Sequence, residues 1–105
     1  MSNPVALAKD QIKNDINQHA VILYMKGTKF APQCGFSAQV IQILNDLGTP
    51  YETRDVLQDD ALRQGIKEFT DWPTVPQLYV NANFIGGCDI IMELYETGEL
   101  KPLLS

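Results

Sequence analysis

Short apolar strand-like runs alternating with amphipathic helical stretches predict an α/β fold, a four-stranded mixed sheet with helices on both faces. Three observations carry that prediction. The run "AVILYM", Ala20 to Met25, is apolar throughout, which suits a strand covered on both faces in the middle of a sheet. It is flanked on either side by stretches whose apolar residues recur at helical spacing. Near the end of the chain, "QLYV" and "NFIG" stand around Asn81-Ala82-Asn83, a separation that requires an antiparallel hairpin.

The elements follow in order. Asn3-Pro4 is a capping residue with proline at a first helical position, and Val5, Ala8, Ile12 and Ile16 then recur as one face of a helix ending near His19. "AVILYM" is the first strand. Beyond a loop, Val40, Ile41, Ile43, Leu44 and Leu47 form a helical stripe closed by Gly48, a residue suited to the left-handed position after a helix. "YETRDV" alternates and reads as the second strand. Asp59 or Asp60 caps a third helix with Leu62, Ile66 and Phe69 on its buried face and Arg63 and Lys67 along one edge. After the hairpin, a last helix runs from about Asp89 to Thr97, with Ile91, Leu94 and Tyr95 inward and Gly98 as its stop. A strand-helix-strand unit demands a parallel pair with a right-handed crossover, whereas the closing hairpin is antiparallel. The sheet is therefore mixed, and the order is that of a thioredoxin-like layout.

With 105 residues, 45% hydrophobic and 20% charged, the expectation is one globular domain over residues 1–105. No run of eighteen apolar residues and no hydrophobic signal segment is present, so no association with a membrane is expected. A formal net charge of −5 without any Lys/Arg cluster argues against nucleic acid, since phosphate binding needs concentrated positive charge. Cys34 and Cys88 are the only cysteines, fewer than a small disulfide-stapled secreted module carries. A reducing, cytoplasmic setting is expected, and a processed organellar domain would look much the same.

Chemistry concentrates in "KGTKFAPQCGFSAQV", Lys26 to Val40. Cys34 falls where the loop gives way to the second helix, and a helix N-terminus with unpaired N–H groups stabilises a thiolate. A free thiol is only about 3% ionised at pH 7, and such placement lowers its pKa to roughly 3.5–7.5. Lys26 would add a positive charge. The competing reading makes Cys34 a small buried hydrophobe. Ser37 holds the place of a second thiol, and a hydroxyl cannot resolve a mixed disulfide; it is read either as a first-turn cap or as a hydrogen-bond donor to the thiolate.

Two further segments have similar double readings. In "DWPTVPQLYV", Pro73 and Pro76 stiffen a loop, or a cis Val75–Pro76 bond presents the Val75 peptide groups to an extended ligand. In "IGGCDI", Gly86 and Gly87 allow close backbone approach, and the N–H groups of Cys88 and Asp89 would bind a carboxylate. Asp89 is also read as a helix cap, and Cys88 as a core residue, a resolving thiol or a site wall. Arg63 and Lys67 form a solvated edge or receive a ligand carboxylate. His19, Trp72, Met92 and Tyr95 are read as structural.

Taken together, Lys26 with "CGFS" eight residues on, "WPTVPQ" and "GGCDI" closely resemble the monothiol glutaredoxins of the CGFS type, over about Ala20 to Leu100. The resemblance implies that Cys34 is the active thiol and iron ligand. It implies that Lys26, Arg63, Val75, Cys88 and Asp89 hold glutathione, with Lys67 and Thr74 as further contacts. The implied cofactors are glutathione and a [2Fe–2S] cluster bridging a homodimer, and the implied partners are BolA-like proteins and iron–sulfur acceptors. Two alternatives stand beside this carrier or scaffold: a glutathione-disulfide oxidoreductase working through one thiol, and a non-catalytic thioredoxin-fold adaptor. Enzymatic activity, on this reading, is at most weak glutathione-dependent thiol-disulfide exchange.

Overall fold

The central strand alternates between two separate cores. In β1 (Val21–Met25), Val21, Leu23 and Met25 belong to one buried cluster, and Ile22 and Tyr24 to the other; a strand sends successive side chains to opposite faces. Every residue of β1 is buried, as its unbroken apolar composition requires. The structure is a computed structural model that describes residues 3–105.

Among the described residues, eleven further elements accompany that strand. The helix α1 (Pro4–Gln18) precedes it, and a small hairpin of β2 (Gly27–Thr28) and β3 (Ala31–Pro32) leads into α2 (Gly35–Leu47). Next come β4 (Glu52–Asp55), a 3₁₀ turn (Val56–Gln58) and α3 (Asp60–Thr70). The hairpin β5 (Gln77–Val80) and β6 (Asn83–Gly86) is followed by α4 (Cys88–Thr97) and α5 (Leu100–Leu104). The main sheet has the order β4-β1-β5-β6. β1 pairs in parallel with β4, Ile22 opposite Glu52, and antiparallel with β5, Tyr24 opposite Gln77. The mixed sheet is therefore as the pattern predicts. Ile12 and Ile16 of α1 and Ile66 of α3 pack on one face, while Val40, Ile41, Ile43 and Leu44 of α2, Ile91 of α4 and Leu100 of α5 pack on the other. Each fully buried Ile or Leu contributes roughly 1.5–3 kcal/mol relative to an exposed one.

Local chemistry sets the ends of the helices. Asn3 Oδ1 accepts from the Val5 N–H at 2.8 Å, and Asp59 Oδ1 accepts from Ala61 and Leu62 at 2.9 and 3.2 Å. Gly48 and Gly98 take left-handed conformations after α2 and α4, as expected.

Several expectations need correction. The second strand stops at Asp55 rather than Val56, because Asp55 Oδ1 accepts from Leu57 N–H at 2.9 Å and turns the chain into the 3₁₀ segment. Tyr95 does not face inward. It is exposed in the seam between α4 and α2, where its hydroxyl donates to Asp46. Phe69 is only partly covered at the edge of α3, packing against Tyr79 with ring centroids 6.3 Å apart. The hairpin β2–β3 and α5 were too short to leave a periodic signal.

Two polar side chains are buried at positions that the sequence pattern does not mark, Asp15 of α1 and Gln77 of β5. Asp15 is buried on α1 and its carboxylate accepts from Arg54 Nε at 3.2 Å and Gln11 Nε2 at 3.0 Å. Arg54 also comes within 3.5 Å of His19 Nε2, so His19 belongs to this structural cluster. A buried carboxylate needs such partners.

Candidate functional site

At the C-terminal end of β1 the chain opens into a groove of about 550 Å³. All eight residues singled out by sequence, Lys26, Cys34, Arg63, Lys67, Thr74, Val75, Cys88 and Asp89, line it. They come from the end of β1, the start of α2, α3, the loop before β5 and the start of α4, so only the tertiary fold brings them together.

Cys34 occupies the N-cap position of α2, in extended backbone conformation. Its thiol is held below the ordinary thiol range chiefly by the backbone N–H of Ser37, then by that of Phe36, by the Lys26 ammonium and by the Ser37 hydroxyl, against an opposing effect of burial. These are the unpaired donors of a helix's first turn, which favour a negative sulfur. Ser37 is not a cap. Its side chain is fully buried, and its Oγ accepts from the Lys26 backbone N–H at 3.2 Å. The hydroxyl proton is left available, and the side chain adds to the lowering of the Cys34 thiol.

The approach to Cys34 is built with little freedom. Gly27 has φ +90°, and a Cβ there would lie 2.6 Å from Ala31 O and from Gln33 N, so no other residue fits this turn. Its N–H donates to Asp55 Oδ1 at 2.9 Å, the same oxygen that receives Leu57. Gln33 N–H in turn donates to Lys26 O at 2.9 Å. Asp55 therefore ties the end of β4 to the loop before Cys34, a role with no sequence signal, since an aspartate after a strand ordinarily marks a turn.

Charge in the groove is unbalanced. Lys26, Arg63 and Lys67 take part in none of the ion pairs found among the described residues. The carboxylate of Asp89 enters from α4, on the opposite face of the sheet from α3. Gly87, not Asp89, is the N-cap of α4. Asp89 falls in the first turn, where a negative side chain meets the positive end of the helix, and the N–H groups of Cys88 and Asp89 remain without intrahelical acceptors.

Cys88 is 8% exposed, and burial together with the nearby Asp89 and Cys34 pushes its thiol up. Its Sγ donates weakly toward Gln39 Oε1 at 3.6 Å and contacts Met92 Sδ at 3.7 Å. Both cysteines are free thiols. The wall opposite Cys34 is the loop before β5, with a cis Val75–Pro76 peptide bond.

Pattern reading missed three lining side chains. Trp72 lines the groove while its ring packs on Phe84 at 5.8 Å, so it is more than a packing residue. Phe36 is 61% exposed beside Cys34, and Ile90 faces the groove from α4. An aromatic residue inside the cysteine motif itself was the available signal for Phe36.

This architecture defines a thioredoxin-like protein with one activated thiol at a helix mouth and a polar groove beside it. A family model described as Glutaredoxin matches residues 21–85. The chain is 56% identical over 96 residues to the uncharacterized monothiol glutaredoxin ycf64-like of Synechocystis sp., covering 91% of this chain and 90% of that one. Among solved structures it is similar to reduced apo GrxS14 of poplar, with TM-score 0.79 and 50% identity, covering 90% of this chain and 86% of that one. It is similar also to a buckwheat glutaredoxin-glutathione complex, with TM-score 0.87 and 26% identity, covering 99% of this chain and 93% of that one. The chain belongs to the glutaredoxin family, in its monothiol branch.

Proposed function

We propose that the groove binds glutathione and that the protein carries a [2Fe–2S] cluster between two of its copies. The observation that supports this reading is the convergence of a depressed thiol, three cations outside the ion pairs found among the described residues and two helix N–H groups without intrahelical acceptors on one groove of tripeptide size. Lys26 and Arg63, with Lys67 beside them, suit the glycyl carboxylate. Val75 offers its peptide groups to the cysteinyl backbone, next to Thr74, in the manner of an added strand. The start of α4, with Asp89, suits the γ-glutamyl end, whose carboxylate meets N–H groups and whose ammonium meets Asp89. A buckwheat glutaredoxin of the same fold has been solved as a glutathione complex.

Ligand counting extends the reading to iron. A [2Fe–2S] centre is usually held by four thiolates, and among the described residues no group of three or more His, Cys, Asp or Glu stands ready to hold a metal. One chain offers one accessible low-pKa sulfur, Cys34. Two chains and two glutathione thiols would complete the set, with the cluster as cargo that an acceptor protein or a BolA-like partner receives.

A second reading has its own support in the half-buried Cys34, whose thiol is held below the ordinary thiol range. Its thiolate would attack the glutathionyl sulfur of a mixed disulfide, forming a Cys34–glutathione disulfide and releasing the protein thiolate. A second glutathione thiolate would then attack the glutathionyl sulfur, releasing glutathione disulfide and regenerating the Cys34 thiolate. Ser37 permits this cycle, since no second protein thiol is required.

Anaerobic reconstitution with iron, sulfide and glutathione decides between them. The expected result is a coloured dimer that requires glutathione and is abolished by Cys34→Ser. A colourless monomer that turns over a glutathionylated substrate rapidly would favour the exchange enzyme. If Cys34→Ser alters neither cluster nor turnover, both readings fail and the adaptor stands.

A further inference from the structure

One wall of the groove, residues 71–76, has no regular secondary structure, and what holds it lies beneath. Gln77, the first residue of β5, is fully buried opposite Tyr24. The partners on its face of the sheet, Tyr24, Ile22 and Tyr79, are aromatic or aliphatic, so a primary amide there requires an explanation. Its two N–H groups supply one. Nε2 donates to Trp72 O at 3.2 Å and to Thr74 O at 3.1 Å, and Oε1 accepts from the Tyr79 hydroxyl at 3.2 Å. The two carbonyls also fix the orientation of the amide, since a flipped group would set oxygen against oxygen.

A buried amide stays buried only when its hydrogen bonds are made, and here both N–H donors go to the loop, while the oxygen accepts from Tyr79 of β5. Trp72 and Thr74 flank Pro73, and Thr74 immediately precedes Val75, so both points of attachment lie within the segment that lines the groove. We propose that Gln77 is a positioning residue for ligand binding: its amide holds the Trp72–Thr74 loop at the height at which the Val75 peptide can pair with an extended tripeptide. Tyr79 acts through it, holding the amide by its oxygen. This inference rests on the glutathione reading above.

The test uses the full chain and S-methylglutathione, whose blocked sulfur removes thiol exchange, with affinity measured calorimetrically well below the melting transition. Gln77→Met keeps the side-chain length and removes both donors, and Tyr79→Phe removes one hydroxyl. The expected affinity losses are about tenfold and about threefold. The pH profile of Cys34 alkylation should stay unmoved in both, because the groups that depress that thiol lie in α2 and at Lys26. Wild-type affinity in Gln77→Met, accompanied only by a lower melting temperature, would mean a merely structural amide and overturn the proposal. Should Gln77→Met not fold, unaltered affinity in Tyr79→Phe overturns it alone. If the unmodified protein itself fails to bind S-methylglutathione, the glutathione reading falls and this inference with it; binding by the wild type and equally by both variants sinks only the inference.

Discussion

Replacing Ser37 by alanine separates the two duties of its hydroxyl. Ser37 Oγ is fully buried, accepts the Lys26 N–H at 3.2 Å and supplies one of the donors that lower the Cys34 thiol. Removing it strands a partly buried backbone N–H, which costs roughly 1–3 kcal/mol, less where water can enter. A net loss of about 1–1.5 kcal/mol in a domain of this size lowers the melting temperature by about 4–12 °C. The thiol should respond separately. Alkylation of Cys34 by iodoacetamide, followed against pH, should shift to higher pH in Ser37→Ala. It should nonetheless stay below an ordinary thiol, because the Ser37 backbone N–H, the largest stabilising contact, survives the substitution. An unchanged melting temperature together with an unchanged alkylation profile would refute the assignment of Ser37 to both contacts. A full return to ordinary thiol behaviour would refute the ranking of backbone over side chain.

Other consequences can be checked alongside. At neutral pH one equivalent of iodoacetamide should label Cys34 and spare Cys88, since one thiol is lowered and the other raised by burial; peptide mapping reads the outcome, and prior labelling of Cys88 would contradict it. The folded state prefers the Cys34 thiolate, so this group's stabilising contribution is present above the unfolded thiol pKa and fades as pH falls through the lowered folded value. Stability of the wild type relative to Cys34→Ser should accordingly rise with pH across that window in denaturant titrations. Gly27→Ala places a Cβ 2.6 Å from Ala31 O at φ +90° and should destabilise the protein by about 2 kcal/mol or more in urea unfolding. Arg54→Met leaves the buried Asp15 carboxylate without its cation. Because Arg54 is 31% exposed, a loss of about 2 kcal/mol is expected, below that of a fully buried pair, and the same titration measures it.

What the sequence determined by itself was whatever rests on local physics. The apolar run at Ala20 to Met25 had to hold a central strand, which is Val21–Met25; Asn3 and one of Asp59 and Asp60 had to cap, and Asn3 and Asp59 do; Gly48 and Gly98 had to terminate helices, and both do. Cys34 at a helix mouth was likewise legible, because the loop-to-helix transition is written in the spacing of the residues after it. The tertiary structure alone decided which hydrogen bonds are made across long separations. Ser37 reaches Lys26 eleven positions back, Asp55 reaches Gly27 across twenty-eight, and Asp15 meets Arg54 across thirty-nine. Nothing in a sequence pattern distinguishes such a polar residue from a solvated one. Tyr95 and Phe69 failed to face inward for a related reason: helical spacing identifies an apolar stripe, but which edge of that stripe a neighbouring element covers depends on where α2 and the sheet lie. The groove itself belongs to that second class, since five segments have to meet before three cations, a thiol and a carboxylate share one space.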